Sequence, residues 1–266
     1  MRADLRRRRD LGEIIDGAYR MYAAHFRVLF LIALITAPLQ ALQVVISSRL
    51  NSDSAEASTM YLFLIPTLFV ALVASGALIS AVHDVTGDTA PDVTRSLDTA
   101  FGRFTALLTT FLLQIGLTLA SMFAAPALGI WWLLRRDATI DGRRNWWLAL
   151  VPFALALYLA IRWMAMQQVV MIGGKERWLA LDASAEIVRE NWWRTLGILL
   201  VIGLIVLGPT ALAATSAAAS PLVEATVTSV VSALALPFFI AAQTLLYYDL
   251  KARNSIDPSP ARIDAP

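Results

Sequence analysis

Six long runs of apolar residues, separated by short polar segments, constrain this chain more than any other feature of its sequence. Each run is long enough for a helix, which rises about 1.5 Å per residue, to cross a hydrocarbon core of about 30 Å. Inside lipid every backbone N–H and C=O group needs a partner within the protein, so runs of this length favour helices. The sequence therefore predicts an all-α polytopic membrane bundle with six transmembrane helices, over about 26–48, 60–82, 104–134, 146–172, 195–216 and 222–246.

Composition supports one integral membrane domain and excludes several kinds of site. Hydrophobic residues make up 58% of the chain and charged residues 16%, which is far from the balance of a soluble domain. We assign residues 1–250 to the membrane domain and 251–266, which include three prolines, to a disordered cytoplasmic tail. The chain has no cysteine, and a membrane hairpin separates its two histidines, His25 and His83. We therefore expect no metal and no cofactor.

A short amphipathic segment precedes three of the apolar runs. In the last of these segments the apolar side chains recur every three or four positions and share one helix face, namely Trp178, Leu181, Ala185, Val188 and Trp192. A helix of this kind is expected to lie in the membrane surface as an interfacial helix. The three segments end near Arg27, Arg103 and Arg194, each at the start of a membrane hairpin. This arrangement predicts a pseudo-threefold helix-plus-hairpin repeat.

Local signals mark the start of the short helices. Asp10 followed by Glu13 is a capping-box pattern and predicts the start of the first helix. Thr89, with Asp92 three residues later, predicts the start of the second. In the third segment Glu190 precedes a basic residue by four positions, which favours an ion pair of Glu190 with Arg194 on one helix face.

Aromatic and basic residues at the ends of the runs are typical of side chains that anchor helices at the headgroup level. The predicted anchors are Arg27, Arg103, Trp192, Trp193, Arg194, Tyr247 and Tyr248. Lysine and arginine are concentrated on the side that holds both termini and the amphipathic segments, which the positive-inside rule makes cytoplasmic. The arginine-rich loop at 135–144 is an exception for which the sequence offers no reason.

Four stretches carry a family resemblance. They are LGEIIDGAYRMYAAHF at 11–26, Arg162-Trp163, ASAEIVRENWWRTLGILL at 183–200 and LLYYDLKARNSID at 245–257. Together they resemble the membrane domain of bacterial glycerophosphoryl diester phosphodiesterases, which also occurs as a stand-alone protein. The resemblance implies a six-span protein of the bacterial inner membrane in a lipid-related context. The family's soluble barrel, with its paired histidines and acidic metal ligands, has no counterpart in this sequence, so no enzymatic activity is expected.

Arg162 is the one basic residue well inside an apolar run. An arginine at the bilayer centre costs roughly 2.5–3.5 kcal/mol and usually faces the interior of a bundle. There it either satisfies carbonyls and amides of the protein or binds an anionic ligand. Six glutamines also lie within the runs, where they either join helices by hydrogen bonds or line a solute path. The candidate ligand-binding residues are Arg162, Gln167, Gln243 and Gln114.

Two functions are compatible with these features. The first is a membrane scaffold or accessory subunit without catalytic residues, whose amphipathic helices contact another membrane protein at the cytoplasmic surface. The second is a transporter or lipid-handling protein with a cavity near the bilayer midplane around Arg162. In both cases membrane lipids are the expected partners, and a net charge of only +2 gives no indication of nucleic-acid binding. A cavity at membrane depth would favour the second function, and an interior filled by leucine side chains the first.

Overall fold

The computed structural model describes residues 8–47, 53–135, 147–214 and 221–256. Within these ranges all regular secondary structure is helical, which confirms the predicted all-α bundle. The helices are α1 (Leu11–Ala24), α2 (Phe26–Leu34), α3 (Ala37–Ser47), α4 (Asp53–Thr86), α5 (Val93–Gly102), α6 (Phe104–Arg135), α7 (Trp147–Arg162), α8 (Met166–Met171), α9 (Arg177–Arg189), α10 (Trp192–Ala214) and α11 (Pro221–Ile256).

Six stretches of the described residues are long and apolar enough to cross a membrane. Two of them are pairs of consecutive helices, α2 with α3 and α7 with α8, and the others lie in α4, α6, α10 and α11. They coincide with the six predicted runs, and their length and composition indicate a multi-pass membrane protein. The long third run forms one helix, α6, which agrees with its prediction as a single span.

One helix break occurs where there is no proline, and one proline lies inside a helix that does not break. The fourth predicted span is divided between α7 and α8 at residues 163–165, where there is no proline. Pro209 lies inside the continuous helix α10. A proline removes only one backbone N–H group, and neighbouring groups of a membrane helix can absorb the distortion. The break after α7 instead coincides with a hydrogen bond from Ser184 Oγ to the Arg162 carbonyl oxygen, at 3.2 Å.

The three predicted amphipathic helices are present as α1, α5 and α9, each directly before a spanning helix. The predicted capping box starts α1, where the Asp10 N–H donates to Glu13 Oε2 at 3.1 Å. The start of α5 was predicted too early: its N-cap is Asp92, whose carboxylate accepts a backbone N–H at 2.9 Å, and not Thr89. Pro91 disfavours the helical conformation at the residue before it, so the helix begins only after the proline.

Side-chain contacts gather the amphipathic helices at one end of the bundle, which we call the capped end. Arg103, at the end of α5, donates to the Val170 carbonyl oxygen near the end of α8, at 2.8 Å. Asn254 of α11 donates to the Ile187 carbonyl oxygen of α9, at 3.2 Å. The helix α1 packs against α11. Three spans therefore begin and three end at the capped end, so that successive spans alternate in direction.

The centre of the bundle is formed by α4 and α11. About half of each spanning segment is buried in these two helices, whereas the other spans bury much less of their surface. Gly76 of α4 allows close packing: a β-carbon there would lie 2.9 Å from Leu107 Cδ1 and 3.3 Å from Ala100 Cβ. Small residues of this kind let membrane helices approach one another closely. The apolar runs look alike in the sequence, but α4 and α11 lie in the centre of the bundle and the other spans lie around them.

Two boundaries differ from the sequence interpretation. The helix α4 begins at Asp53, well before the second apolar run. The helix α11 continues to Ile256, past the domain boundary at residue 250, and the rest of the predicted tail lies outside the described residues. Once a helix has formed, adding residues at its end costs little because the nucleus already exists. Polar residues therefore extend both helices beyond their apolar runs.

Candidate functional site

A cavity of about 590 Å³ lies between the spanning helices, and we call it the central cavity. Its walls come from α4, α6, α7, α8, α10 and α11 and are mostly apolar. The polar side chains that line it are Ser75, Gln114, Gln167 and Gln243. Small-molecule sites usually measure about 300–1,000 Å³ and combine apolar walls with a few polar groups. The central cavity has the size and lining of such a site.

The central cavity lies at membrane depth, in the half of the bundle nearer the capped end. On α10, which begins at Trp192, it is lined by Leu196 and Leu200. At about 1.5 Å per residue, both leucines lie within about 12 Å of the start of that helix. On α6 the cavity is lined by Gln114, about three turns from the helix start. These positions belong to the apolar part of the spans.

Three of the predicted ligand-binding residues meet in this cavity. Gln114 comes from α6, Gln167 from α8 and Gln243 from α11. Within the described ranges, none of their side-chain amides has a hydrogen-bond partner. Ser75 differs, because its Oγ donates to the Leu72 carbonyl oxygen of its own helix at 3.1 Å. The three amides can therefore donate to and accept from a molecule in the cavity.

The fourth predicted residue, Arg162, lies outside the central cavity. Its Nη1 donates to Tyr158 Oη, one helical turn earlier on α7, at 2.9 Å. Its guanidinium carbon is 5.9 Å from the centre of the same ring. The neighbouring Ile161 does line the cavity, so the two residues belong to different faces of the helix end. The central cavity is therefore built around glutamines, and no charged side chain of the described residues lines it.

A second pocket, which we call the seam pocket, lies between α7 and the turn from α9 into α10. It also measures about 590 Å³ and is lined by Tyr158 and residues 189–194. The Tyr158 ring is 5.9 Å from that of Trp192, and Trp192 meets Trp193 edge to face at 4.7 Å. Trp193 is 79% exposed. Aromatic side chains with a polar tip are enriched where lipid meets water, so the seam pocket has the composition of the headgroup level.

A buried carboxylate joins three parts of the chain at the capped end. Asp249 of α11 is fully buried and accepts from Arg194 Nη1 at 2.6 Å and from Arg253 Nε at 3.0 Å. Its Oδ1 also accepts the backbone N–H of Arg9 at 2.6 Å. Both arginine side chains donate in addition to the Arg9 carbonyl oxygen. This Asp249 cluster fixes the residues before α1, the start of α10 and the end of α11 relative to one another.

Sequence reasoning missed the Asp249 cluster. It paired Arg194 with Glu190, but Arg194 binds Asp249, while Glu190 lies 4.0 Å from Arg189 at the surface. A buried carboxylate offers a stronger partner than an exposed one, because water competes less for it. The available signal was the spacing of Asp249 and Arg253, which favours a helical ion pair at the end of the last apolar run.

The other predicted anchors occupy different environments. Arg27 is exposed at the second position of α2. Arg103 caps the end of α8 through its bond to a backbone carbonyl. Tyr247 and Tyr248 are buried in the core of the bundle, and Tyr248 Oη lies 2.6 Å from Nδ1 of His83. Both tyrosines pack between spanning helices because α11 runs through the centre of the fold.

The helix α9 buries most of the face predicted from its periodicity. Leu181, Ala185 and Val188 are buried, whereas Trp178 is 60% exposed. The helix begins at Arg177, whose φ of 52° is left-handed. Trp178 therefore stands in the first turn, where no earlier turn of the helix covers it. Its exposed ring is free to contact the surroundings of the bundle.

A larger cavity, of about 710 Å³, lies at the capped end between α1 and the turn after α4. Its lining includes charges of both signs, among them Glu13, Arg20 and Asp88. Arg20 is already paired with Asp16 at 2.7 Å. This lining gives no preference for a ligand of either charge. In the part of the chain that the structure describes, no group of three His, Asp or Glu residues could hold a metal ion.

Comparison with known proteins brings no identification: no family model, curated protein or solved structure matches the chain. The resemblance to the phosphodiesterase membrane domain therefore stays a prediction from the sequence.

Proposed function

We propose that this chain is a lipid-handling protein of a bacterial inner membrane that binds an amphipathic molecule in the central cavity. The observation that carries the proposal is the meeting of three glutamine amides in a mostly apolar cavity at membrane depth. The cavity supports the second of the two functions considered from the sequence. An interior filled by leucine side chains would have supported the scaffold instead.

The lining favours an amphiphile over a water-soluble solute. Apolar side chains make up most of the walls, so they stabilise a hydrocarbon chain through burial of its surface. A polar group buried without a hydrogen bond costs about 1–3 kcal/mol. The amides of Gln114, Gln167 and Gln243 therefore favour a molecule with a hydroxyl, ester or amide group among its hydrocarbon atoms. Membrane lipids combine both properties and surround the protein at high concentration.

The proposal includes an orientation and excludes catalysis. The capped end faces the cytoplasm, because most lysines and arginines flank that end, and the N- and C-termini lie on the same side. The sequence offers no nucleophile–histidine–acid set and no metal-ligand motif, so we assign the chain no reaction. The lipid-related context comes from the family resemblance of the membrane-insertion motifs.

The proposal is tested by filling the cavity. Ala160 of α7 lines the central cavity, so Ala160→Trp should occupy part of its volume. Ala154 lies on the same helix, is exposed and does not line the cavity, so Ala154→Trp is the matched control. Each protein is purified from bacterial membranes in a non-ionic detergent. Lipids that remain bound after extensive washing are extracted and quantified by mass spectrometry.

We expect wild type and Ala154→Trp to retain lipid in proportion to protein, and Ala160→Trp to lose most of it. Thermal unfolding of all three proteins establishes that the loss is not caused by misfolding. Equal retention by the two tryptophan variants would show that the bound lipid lies elsewhere, and the proposal would be wrong. If the wild-type protein retained no lipid, a membrane scaffold would be the better hypothesis.

A further inference from the structure

We infer that the bound molecule carries an anionic headgroup, which lies in the seam pocket while its chain extends into the central cavity. This inference rests on the proposed function and names the chemical class of its ligand. It is carried by the continuity of the two cavities along α7 and α10 and by the charges at the seam pocket.

The two cavities follow one another along the same pair of helices. On α7, Tyr158 lines the seam pocket, and the adjacent Leu157 lines the central cavity. On α10, Trp192 lines the seam pocket, and Leu196, one turn deeper, lines the central cavity. α7 and α10 are in contact, so these residues form one continuous boundary. A molecule at the seam pocket therefore has its nearest apolar volume in the central cavity.

Charge is separated between the two cavities. The central cavity has only uncharged side chains among its described lining residues. A charged group placed there would lose its hydration without gaining a counter-charge, which is costly inside a membrane. The ionic part of a bound amphiphile therefore belongs at the seam pocket, where arginines are present.

The charged side chains in and beside the seam pocket carry excess positive charge. Arg189, Glu190 and Arg194 line the pocket, and Glu190 balances Arg189, which lies 4.0 Å from it. Arg162 does not line the pocket but donates to Tyr158 Oη, which belongs to its lining, and among the described residues no carboxylate pairs with Arg162. Arg194 and Arg253 share the single carboxylate of Asp249, so that cluster retains one positive charge. The guanidinium group of an arginine can donate two parallel hydrogen bonds to the oxygens of a phosphate or carboxylate. The site therefore selects an anionic headgroup.

The position of the aromatic residues fits a headgroup that is tethered to a chain. Tyr158 and Trp192 stack beside the arginines, and Trp193 projects outward from the start of α10. Such a belt places the seam pocket at the boundary between water and hydrocarbon. A lipid at this boundary presents its charge to Arg162 and its chain to the apolar walls below without further displacement.

The inference is tested with lipids of equal chain length and different headgroups. Phosphatidylglycerol, phosphatidylcholine and diacylglycerol are titrated onto delipidated protein in non-ionic detergent, and bound lipid is counted by native mass spectrometry. Wild type should retain phosphatidylglycerol best. Near a membrane surface each arginine contributes about 1 kcal/mol to binding of an anionic lipid, so Arg162→Gln should weaken phosphatidylglycerol binding about fivefold. Binding of diacylglycerol should not change.

Three further measurements make the test specific. Arg189→Gln changes an exposed residue of the seam pocket and should also weaken binding of the anionic lipid, even if Arg162→Gln folds poorly. Arg20→Gln removes an exposed arginine on α1, away from the seam, and should leave binding unchanged. Free glycerol 3-phosphate should not compete, because a headgroup without a chain gains nothing from the central cavity.

Each outcome decides a different point. Equal binding of phosphatidylglycerol to wild type, Arg162→Gln and Arg189→Gln would overturn the anionic headgroup. The proposed function would survive that result if Ala160→Trp still reduced the binding of every lipid. If no lipid responds to Ala160→Trp, the proposed function and the inference both fail. Strong competition by glycerol 3-phosphate would instead indicate a site for free phosphate esters.

Discussion

Replacement of Asp249 by asparagine should destabilise the protein strongly, because this carboxylate is the shared acceptor at the capped end. Its side chain is fully buried and accepts from Arg194 at 2.6 Å and from Arg253 at 3.0 Å. Asparagine keeps the shape and one acceptor oxygen, so the bond from the Arg9 N–H can persist. The negative charge is lost, and two arginines are left close together without a counter-charge.

The magnitude follows from the burial of the partners. Removing one member of a fully buried ion pair costs about 3–5 kcal/mol. The Arg194 and Arg253 side chains are 26% and 21% exposed, so water can compensate part of the loss. We therefore expect a decrease of about 2–3 kcal/mol in the free energy of unfolding. For a chain of this size that corresponds to a decrease of roughly 5–10 °C in Tm.

The matched control is Asp16→Asn, which removes the same charge from another helical i,i+4 pair with arginine. Asp16 lies 2.7 Å from Arg20, but the two side chains are 55% and 69% exposed. An exposed pair of this kind contributes at most about 0.5 kcal/mol. Thermal unfolding of both variants in the same detergent, followed by circular dichroism at the helix band, gives the comparison.

Hydrogen exchange adds a second, local measurement. Asp249 holds the backbone immediately before α1, so Asp249→Asn should accelerate exchange of the amides at the start of α1 more than of those in α6. Equal, small shifts in Tm for Asp249→Asn and Asp16→Asn would refute the reasoning. The Asp249 cluster would then be no stronger than a surface ion pair.

Three further predictions concern the buried face of α9, the orientation and the activity. Val188 is fully buried, so Val188→Asp buries a charge and should lower the free energy of unfolding by roughly 3 kcal/mol or more. Glu186→Gln, at an exposed position, should change Tm little. Similar Tm values for the two variants would mean that α9 does not pack on the bundle. The chain has no cysteine, so single cysteines can be labelled specifically. On intact cells a membrane-impermeant thiol reagent should label Ala138→Cys and should not label Asp182→Cys. The reverse pattern would mean that the proposed orientation is inverted. Purified protein incubated with glycerophosphodiesters and a divalent metal should release no more alcohol than a sample without protein. Metal-dependent turnover that survives purification would contradict the proposal that the chain catalyses no reaction.

The spans and the amphipathic helices could be predicted because their signals are local. A run of apolar residues long enough to cross a membrane has few alternatives to a helix, whatever the rest of the chain does. The capping box at Asp10 and Glu13 depends on residues within one turn, and the structure confirms it. The start of α5 at Asp92 was missed because the effect of Pro91 on its neighbour outweighed the pattern that begins at Thr89.

The candidate site was predictable in composition and not in geometry. The intramembrane position of Gln114, Gln167, Gln243 and Arg162 identifies them as costly residues that need a partner. Whether they meet depends on how each helix is rotated about its own axis, and apolar runs that are hydrophobic on all sides carry little information about rotation. In the structure the three glutamines line one cavity, whereas Arg162 lies outside it and donates to Tyr158, a lining residue of the seam pocket.

The sequence by itself therefore determined the class of the protein, the number of its spans and the side of the bundle on which its short helices lie. Those properties follow from hydrophobic length and from charge, which are sums over neighbouring residues. Only the tertiary structure decided which polar groups are partners. Arg9 and Asp249 are separated by 240 positions, and no local pattern relates them. Their bond exists because α1 and α11 pack at the same end, and helix packing is settled by the shapes of all the buried side chains together.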